Sequence, residues 1–539
     1  MPSKKLRFII GLTALAALIA AVYGPVRNFD FVCWDDDNNF IQNPLLSAPW
    51  SWTLIKQLFA ADQALRFEPV HWLVCRLLYA AAGLDPGIWH LLGLFWHLIA
   101  ASLFAIALRA LFTRIDPQDG LRAGMIALIG AALWALHPLR AETVGWATAS
   151  TYPLTGACLL GSFVCYLRAY ESGRRHNGWL GLAWALAVLG YGSYPVGVGY
   201  GLWLVGFDLW LLHRGFSEEG PRQPRWWIKH LMFILPAGAA VAVTVWTRHA
   251  APGIFVAAPD LAAVGVPLRL VMAMGNLMAL AWGAVWPVEL SPNRIPLDLA
   301  SARMLALVLT AAAAAATALM LAWKVRRTRP GLTLVILGFA ALSIPCLGLT
   351  ERPTWPVDRY SYLVHLVLIG GVATWVFGRK GLRPALITAF GAGLIVVAAA
   401  AARRQMTIWR DTETLFTHME REPRFADNPR QQGHVYILWG QHLARNDSPE
   451  RAMEKFQRAN EIYHAAIRAA VEREDYAEAL ALSTHIGHHF NYTPVLHRER
   501  GVWLLRLGRK PEASVELQLA LAAMPEDART RFYLAEAQK

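Results

Sequence analysis

Apolar segments of about twenty residues recur from Phe8 to Ala402, and they restrict this chain more than any other feature. Inside a bilayer no water satisfies backbone N–H and C=O groups, so a spanning segment must be a helix or part of a closed barrel. The runs here are continuous and lack a two-residue alternation, which selects helices. Hydrophobic residues make up 55% of the 539 and charged residues only 17%, against about 45–50% and about 25% in a soluble domain. The expected fold is all-α and polytopic.

Basic clusters orient the spans. Lys4, Lys5 and Arg7 place the amino terminus in the cytoplasm. No small-residue cleavage site of the A-x-A kind follows the first run, so it reads as an uncleaved signal anchor. Spans are expected over roughly 8–24, 89–111, 125–136, 154–170, 179–194, 196–212, 231–246, 305–323, 332–349, 362–377 and 385–402, about eleven in all. The segment 267–288 is apolar enough to cross. Lys324, Arg326, Arg327 and Arg329 must lie inside, however, and that parity makes 267–288 re-entrant or interfacial. The net charge of +13 follows from the same cytoplasmic bias, with attraction to anionic lipid or a lipid phosphate as the sharper alternative. The basic residues are scattered among spans, which argues against nucleic acid. None of the five cysteines forms a CxxC pair, so neither a disulfide framework nor a zinc site is expected.

The character changes after Arg403. The membrane region is expected to be 1–403 and an extracytoplasmic helical domain 404–539. Gly501, Leu504, Ala513, Leu517, Ala520 and Pro525 fall at the small and packing positions of a tetratricopeptide repeat, and Gly440, Leu443, Ala452, Phe456 and Ala459 repeat the spacing. Ala479 lies 34 residues before Ala513, but Ala452 to Ala479 is only 27, so one junction is shortened. The reading is a short α-solenoid, with an ordinary helical-hairpin domain as the alternative.

The chemistry centres on Trp34-Asp35-Asp36-Asp37, in a first outer loop over 25–87. Adjacent carboxylates beside a bilayer are costly unless they line a polar cavity or pair with something, and each raises its neighbour's pKa. A general base needs such a group, poised near working pH and within reach of a hydroxyl. The alternative is a solvated loop. The oxygen spacing of a calcium loop is absent.

Several blocks in order resemble the membrane tetratricopeptide-repeat glycosyltransferases of the C-type superfamily, including the O-mannosyltransferases of animals and their bacterial relatives. The blocks are Phe31-Val32-Cys33-Trp34-Asp35-Asp36-Asp37 with Gln42-Asn43-Pro44, then Gly83-Leu84-Asp85-Pro86 with His90 and His97. Next are Ala135-Leu136-His137-Pro138-Leu139-Arg140-Ala141-Glu142-Thr143-Val144 with Trp146, Val357-Asp358-Arg359-Tyr360-Ser361-Tyr362-Leu363, and Trp409-Arg410-Asp411 with Leu415-Phe416.

The resemblance implies an inverting enzyme that moves a sugar from a polyprenyl-phosphate carrier to an acceptor hydroxyl, on a protein, at the outer membrane face. It makes Asp35 and Asp36 the catalytic pair and Asp37 a supporting acid. Arg359, Arg140 and His137 become candidates for the donor phosphate, since a guanidinium offers phosphate a bidentate fork. Arg359 as a snorkelling anchor, and His137-Pro138 as a helix-ending turn, are the bland alternatives. Trp34, Glu68, His90, Glu142 and Tyr360 complete the expected pocket. No cofactor is required beyond the polyprenyl-phosphate sugar, and a divalent metal is left open. The resemblance also implies a bacterial-type inner membrane location and a polypeptide acceptor or partner held by the repeats.

The chain departs from the relatives' pattern in places. After Trp146 the relatives' charged run is replaced by Ala147-Thr148-Ala149-Ser150-Thr151-Tyr152, and the turn before Val196 reads Tyr194-Pro195. A non-catalytic scaffold that binds a partner through its repeats is therefore a second reading, and a lipid or glycan transporter a third.

Overall fold

The computed structural model describes the chain apart from residues 1–2, 60–66, 172–175, 218, 251–264, 289, 291, 293–301, 350–355, 423–424, 426–427, 447 and 490–491. Arg174 and Arg175, the basic pair expected to hold the end of the fourth span in the cytoplasm, lie outside the described residues. The described residues are helical throughout with no strand, as expected of an all-α polytopic protein. They form two compact units, Met1–Asp411 and Thr412–Lys539.

In the first unit the described residues include 8 helices long and apolar enough to cross a bilayer. They are Lys4–Asn28, Pro86–Ile115, Pro195–His213, Pro224–Thr247, Val266–Gly283, Ala302–Lys324, Asp358–Gly378 and Pro384–Trp409. A ninth arises if Gly120–Ala135 and Pro138–Gly145, bent by 60°, count as one broken span. Eleven spans are expected, and the expected spans not among these helices differ for local reasons. Proline 138 removes a helix donor and ends the Gly120–Ala135 helix. Pro330–Ser343 is only 14 residues long. Thr151–Ala169 and His176–Ser193 form as helices but are not among the eight. Thr151–Ala169 is buried along almost its whole length, packed against Pro86–Ile115 and His176–Ser193. Protein covers it in place of lipid, so it has no need of an apolar surface. Conversely, Val266–Gly283 is an unbroken 18-residue helix long enough to cross, although charge parity sets it aside.

Helix ends are satisfied locally. Ser3 caps Lys4–Tyr23 by accepting from Leu6 N at 3.2 Å, and Asp85 caps Pro86–Ile115 through Ile88 N at 3.2 Å. Arg122 donates to the carbonyls of Leu382 (2.9 Å), Val376 (3.1 Å) and Arg379 (2.8 Å), closing the end of Ser361–Gly378. A buried polar cluster went unnoticed in the sequence. Asp208 meets Lys229 Nζ at 2.5 Å and His230 Nε2 at 3.2 Å, and accepts from the Tyr170 hydroxyl at 2.6 Å. It ties Tyr170, at the end of Thr151–Ala169, to the helices Tyr200–His213 and Pro224–Ala250.

The second unit is built of paired helices. Pro429–Arg445 packs on Pro449–Glu472, and Pro494–Arg506 on Lys510–Ala523. The small residues sit at the crossings. A Cβ on Gly440 would lie 2.6 Å from the Phe456 ring, and one on Gly501 would lie 2.5 Å from Leu517 Cγ. Ala452, Ala459, Ala479, Ala513 and Ala520 are buried. Pro449–Glu472 is one 24-residue helix that packs on both Pro429–Arg445 and Tyr476–His489. The 27-residue interval from Ala452 to Ala479 thus begins within one unbroken helix.

Candidate functional site

The loop that follows the first helix is supported from below. Phe40, Leu45, Leu46, Leu54, Leu58, Trp72, Cys75 and Trp89 form a buried cluster with Ala147. The Phe40 and Trp89 rings sit 4.4 Å apart. His90 is wholly buried, and its Nε2 lies 3.1 Å from the Asp30 carbonyl oxygen, so it supports the loop backbone. The three acids follow on a single turn, with Asn39 N donating to the Asp35 carbonyl at 2.9 Å.

The turn separates the acids. Asp35 is exposed and Trp34 half-buried, while Asp36 is 0% exposed and Asp37 is buried. Asp36 Oδ2 accepts from Val32 N at 3.0 Å. Its Oδ1 accepts from both the backbone N (2.9 Å) and the hydroxyl (2.6 Å) of Thr148. Burial raises the Asp36 carboxyl to about 7; the bonds from Thr148 and Val32 oppose the rise, and the neighbouring Asp35 adds to it. Asp37 Oδ2 lies 3.4 Å from the Cys33 thiol.

Thr148 belongs to a segment that carries much of the remaining polar chemistry. Pro138–Arg140, Ala141–Gly145 and Ala147–Ser150 are three successive short helical turns. Glu142 forms a buried ion pair with Arg359 and also accepts from the Arg359 backbone N at 2.7 Å. The guanidinium carbon of Arg359 lies 5.2 Å from the centre of the Trp146 ring, and that ring stacks on Trp409 at 5.2 Å. Tyr360 flanks the same guanidinium at 5.7 Å. Arg359 is therefore held by an acid as well as by aromatic rings, and one nitrogen of its fork is committed to Glu142.

Arg140 is 0% exposed. Its Nη2 donates to Ser361 Oγ at 2.5 Å and lies 3.3 Å from His365 Nδ1. Its Nε and Nη1 have no hydrogen-bond partner among the described residues. His137 caps its own turn, accepting from Leu139 N at 3.4 Å, and its ring lies 5.7 Å from that of His365. The helix-ending role and a place in a basic cluster thus coexist at His137. Glu68 is buried at the start of Pro69–Ala82, near Cys75.

Asn39 and His365 are not among the expected site residues, and Thr148 is expected only as part of a run that has lost its charges. Of the first two, only His365 leaves a signal in the sequence, as a lone imidazole one helical turn after Ser361 in an otherwise apolar run. Among the described residues no group of three or more His, Cys, Asp or Glu side chains converges on a metal-sized site.

A helical membrane protein whose acid loop docks on the Ala147–Ser150 turn, just after a bent helix pair, is the class these features define. Comparison with known proteins narrows it. The chain is 30% identical over 175 residues to the protein O-mannosyl-transferase Tmtc1 of Drosophila melanogaster, covering 31% of this chain and 18% of that protein. It is 27% identical over 160 residues to the protein O-mannosyl-transferase tmtc2 of Xenopus laevis, covering 28% of this chain and 18% of that protein. The matched stretch thus spans about a fifth of each relative's length. These matches support placing the chain with the membrane tetratricopeptide-repeat glycosyltransferases. No protein-family model and no solved structure matches.

Proposed function

We propose that this protein is a membrane glycosyltransferase that takes a sugar from a polyprenyl-phosphate carrier and places it on a hydroxyl of a polypeptide, on the non-cytoplasmic face. The observation that carries this reading is the acid pair. Asp35 is exposed where an acceptor can reach it, and beside it Asp36 is buried with its carboxyl near 7. A pair tuned in this way suits general-base work near neutral pH. The pair takes the acceptor proton, the acceptor oxygen bonds to the anomeric carbon, and the bond from that carbon to the carrier phosphate breaks. Attack from the face opposite the leaving phosphate inverts the configuration. The phosphate leaves as a stable anion and needs cations more than an acid. Arg140, with two buried nitrogens lacking a hydrogen-bond partner, suits that role. Arg359, oriented by Glu142, and His137 stand as its partners. The repeats would hold the polypeptide acceptor and raise its local concentration. The relatives' names support transfer to protein.

One observation favours the scaffold reading: Asp36 and Arg359 each already have a partner within the chain. Substituting the acids decides between the two. With polyprenyl-phosphate mannose as donor and a serine- and threonine-rich peptide as acceptor, Asp35→Asn and Asp36→Asn should each lower transfer by about 10²-fold or more. Asp37→Asn should do less. Transfer at the parent rate in both of the first two variants would sink the catalytic reading.

A further inference from the structure

We infer that Thr148 is a positioning residue for the acid pair, fixing the Asp36 carboxylate through two bonds to one oxygen while Asn39 orients its hydroxyl. The inference rests on the transferase reading above. Thr148 lies 112 residues from Asp36 in sequence, yet its backbone N and its Oγ both reach Asp36 Oδ1, at 2.9 and 2.6 Å. Asn39 Nδ2 donates to the same Oγ at 3.3 Å. A hydroxyl that accepts from an amide has its own proton left to donate, so Asn39 turns the Thr148 O–H toward the carboxylate. The acid loop and the Ala147–Ser150 turn are thereby locked in register. Ala147, packed in the loop's apolar cluster, fixes the turn from the other side.

The arrangement bears on ionisation as well as on place. Donors to a carboxylate favour its charged form. Here they work against burial and against Asp35, the charged neighbour that raises the carboxyl. Other ionisable groups of the loop region include Asp30, Asp37 with Cys33 on the same turn, and His90 on the Pro86–Ile115 helix, whose ring holds the Asp30 carbonyl. Thr148 is therefore the contact through which the bent segment sets the fraction of the pair available as base.

Thr148→Val removes the hydroxyl, keeps the side-chain shape and leaves the backbone donor in place. Thr148→Ser restores the hydroxyl. The full-length protein in lipid nanodiscs should be titrated by infrared spectroscopy, following the carboxyl band that disappears in Asp36→Asn. Losing one charged hydrogen bond should raise the Asp36 midpoint by roughly one to two pH units in the Val variant, and Ser should restore it. Transfer from polyprenyl-phosphate mannose to the peptide should need a correspondingly higher pH, with its high-pH plateau within about threefold of the parent and KM little changed. An unmoved midpoint in Thr148→Val overturns the inference, whatever the activity does. So does a plateau lost at every pH in both variants, since that would mark a merely structural residue. Parent-rate transfer by Asp36→Asn is a separate result, and it would refute the catalytic reading instead.

Discussion

Removing both partners of the Glu142–Arg359 pair should destabilise the membrane unit by less than the sum of the two single removals. Glu142 is 2% exposed and Arg359 11%, so neither charge can recover water in the fold. Two bonds join the residues, one from the guanidinium and one from the Arg359 backbone N at 2.7 Å. Deleting one partner of a buried pair leaves an uncompensated charge and costs about 3–5 kcal/mol. Arg359→Met takes the guanidinium away from a buried carboxylate and should sit at the upper end. Glu142→Gln keeps an acceptor for the Arg359 backbone N but leaves the guanidinium unpaired, and should sit at the lower end. In the double variant no charge remains. Its cost should fall short of the sum of the singles by roughly 2 kcal/mol or more, within the range seen for directly contacting residues. Reversible denaturant unfolding in mixed micelles, with all four proteins in one lipid–detergent ratio, measures the cycle. Single-variant costs below about 1 kcal/mol, or strictly additive ones, would refute the reasoning. Either result would mean that water reaches the pair.

Two further expectations follow from the acid loop and the helical repeats. Asp36 has a raised carboxyl in the fold, about 7, against about 3.9 in an unfolded chain. Between these values the folded protein holds a proton that the unfolded chain has lost. The Asp36 contribution to stability should therefore be greatest below about pH 4, fall as pH rises toward about 7 and level off above it. Unfolding measured across that window should lose the Asp36 part of the slope in Asp36→Asn, and an identical slope in variant and parent would contradict the buried acid. In the second unit, Gly501→Val would drive a side chain to 2.5 Å from buried Leu517 and 3.3 Å from the Ala513 carbonyl. It should cost about 1–3 kcal/mol, read as faster amide exchange across Pro494–Ala523; parent-like protection there would argue against the close crossing.

Several features were legible because their signal is local. Twenty-residue apolar runs identify membrane helices, since a bilayer imposes length and apolarity on each segment separately. Gly440, Ala452, Gly501 and Ala513 mark helix crossings, because neighbouring helices of a hairpin lie close in sequence. Trp34-Asp35-Asp36-Asp37 announces itself, because clustered acids beside apolar spans demand a reason. The count of spans was less legible. Thr151–Ala169 looks like a lipid-facing helix in a hydropathy reading, whereas its neighbours enclose it.

The sequence by itself determined an all-helical membrane protein with an acid-bearing first loop and a carboxyl-terminal set of helix pairs, for each of these is written in residues near one another. Tertiary structure alone decided which acid is exposed and which is sealed. It also decided that Thr148 holds Asp36 across 112 residues, that Glu142 holds Arg359 across 217, and that Asp208, Lys229 and His230 meet in one cluster. The physical reason is that ionisation and pairing depend on what burial places around a group. Burial here is set by helices that meet from distant parts of the chain, and no local pattern records it.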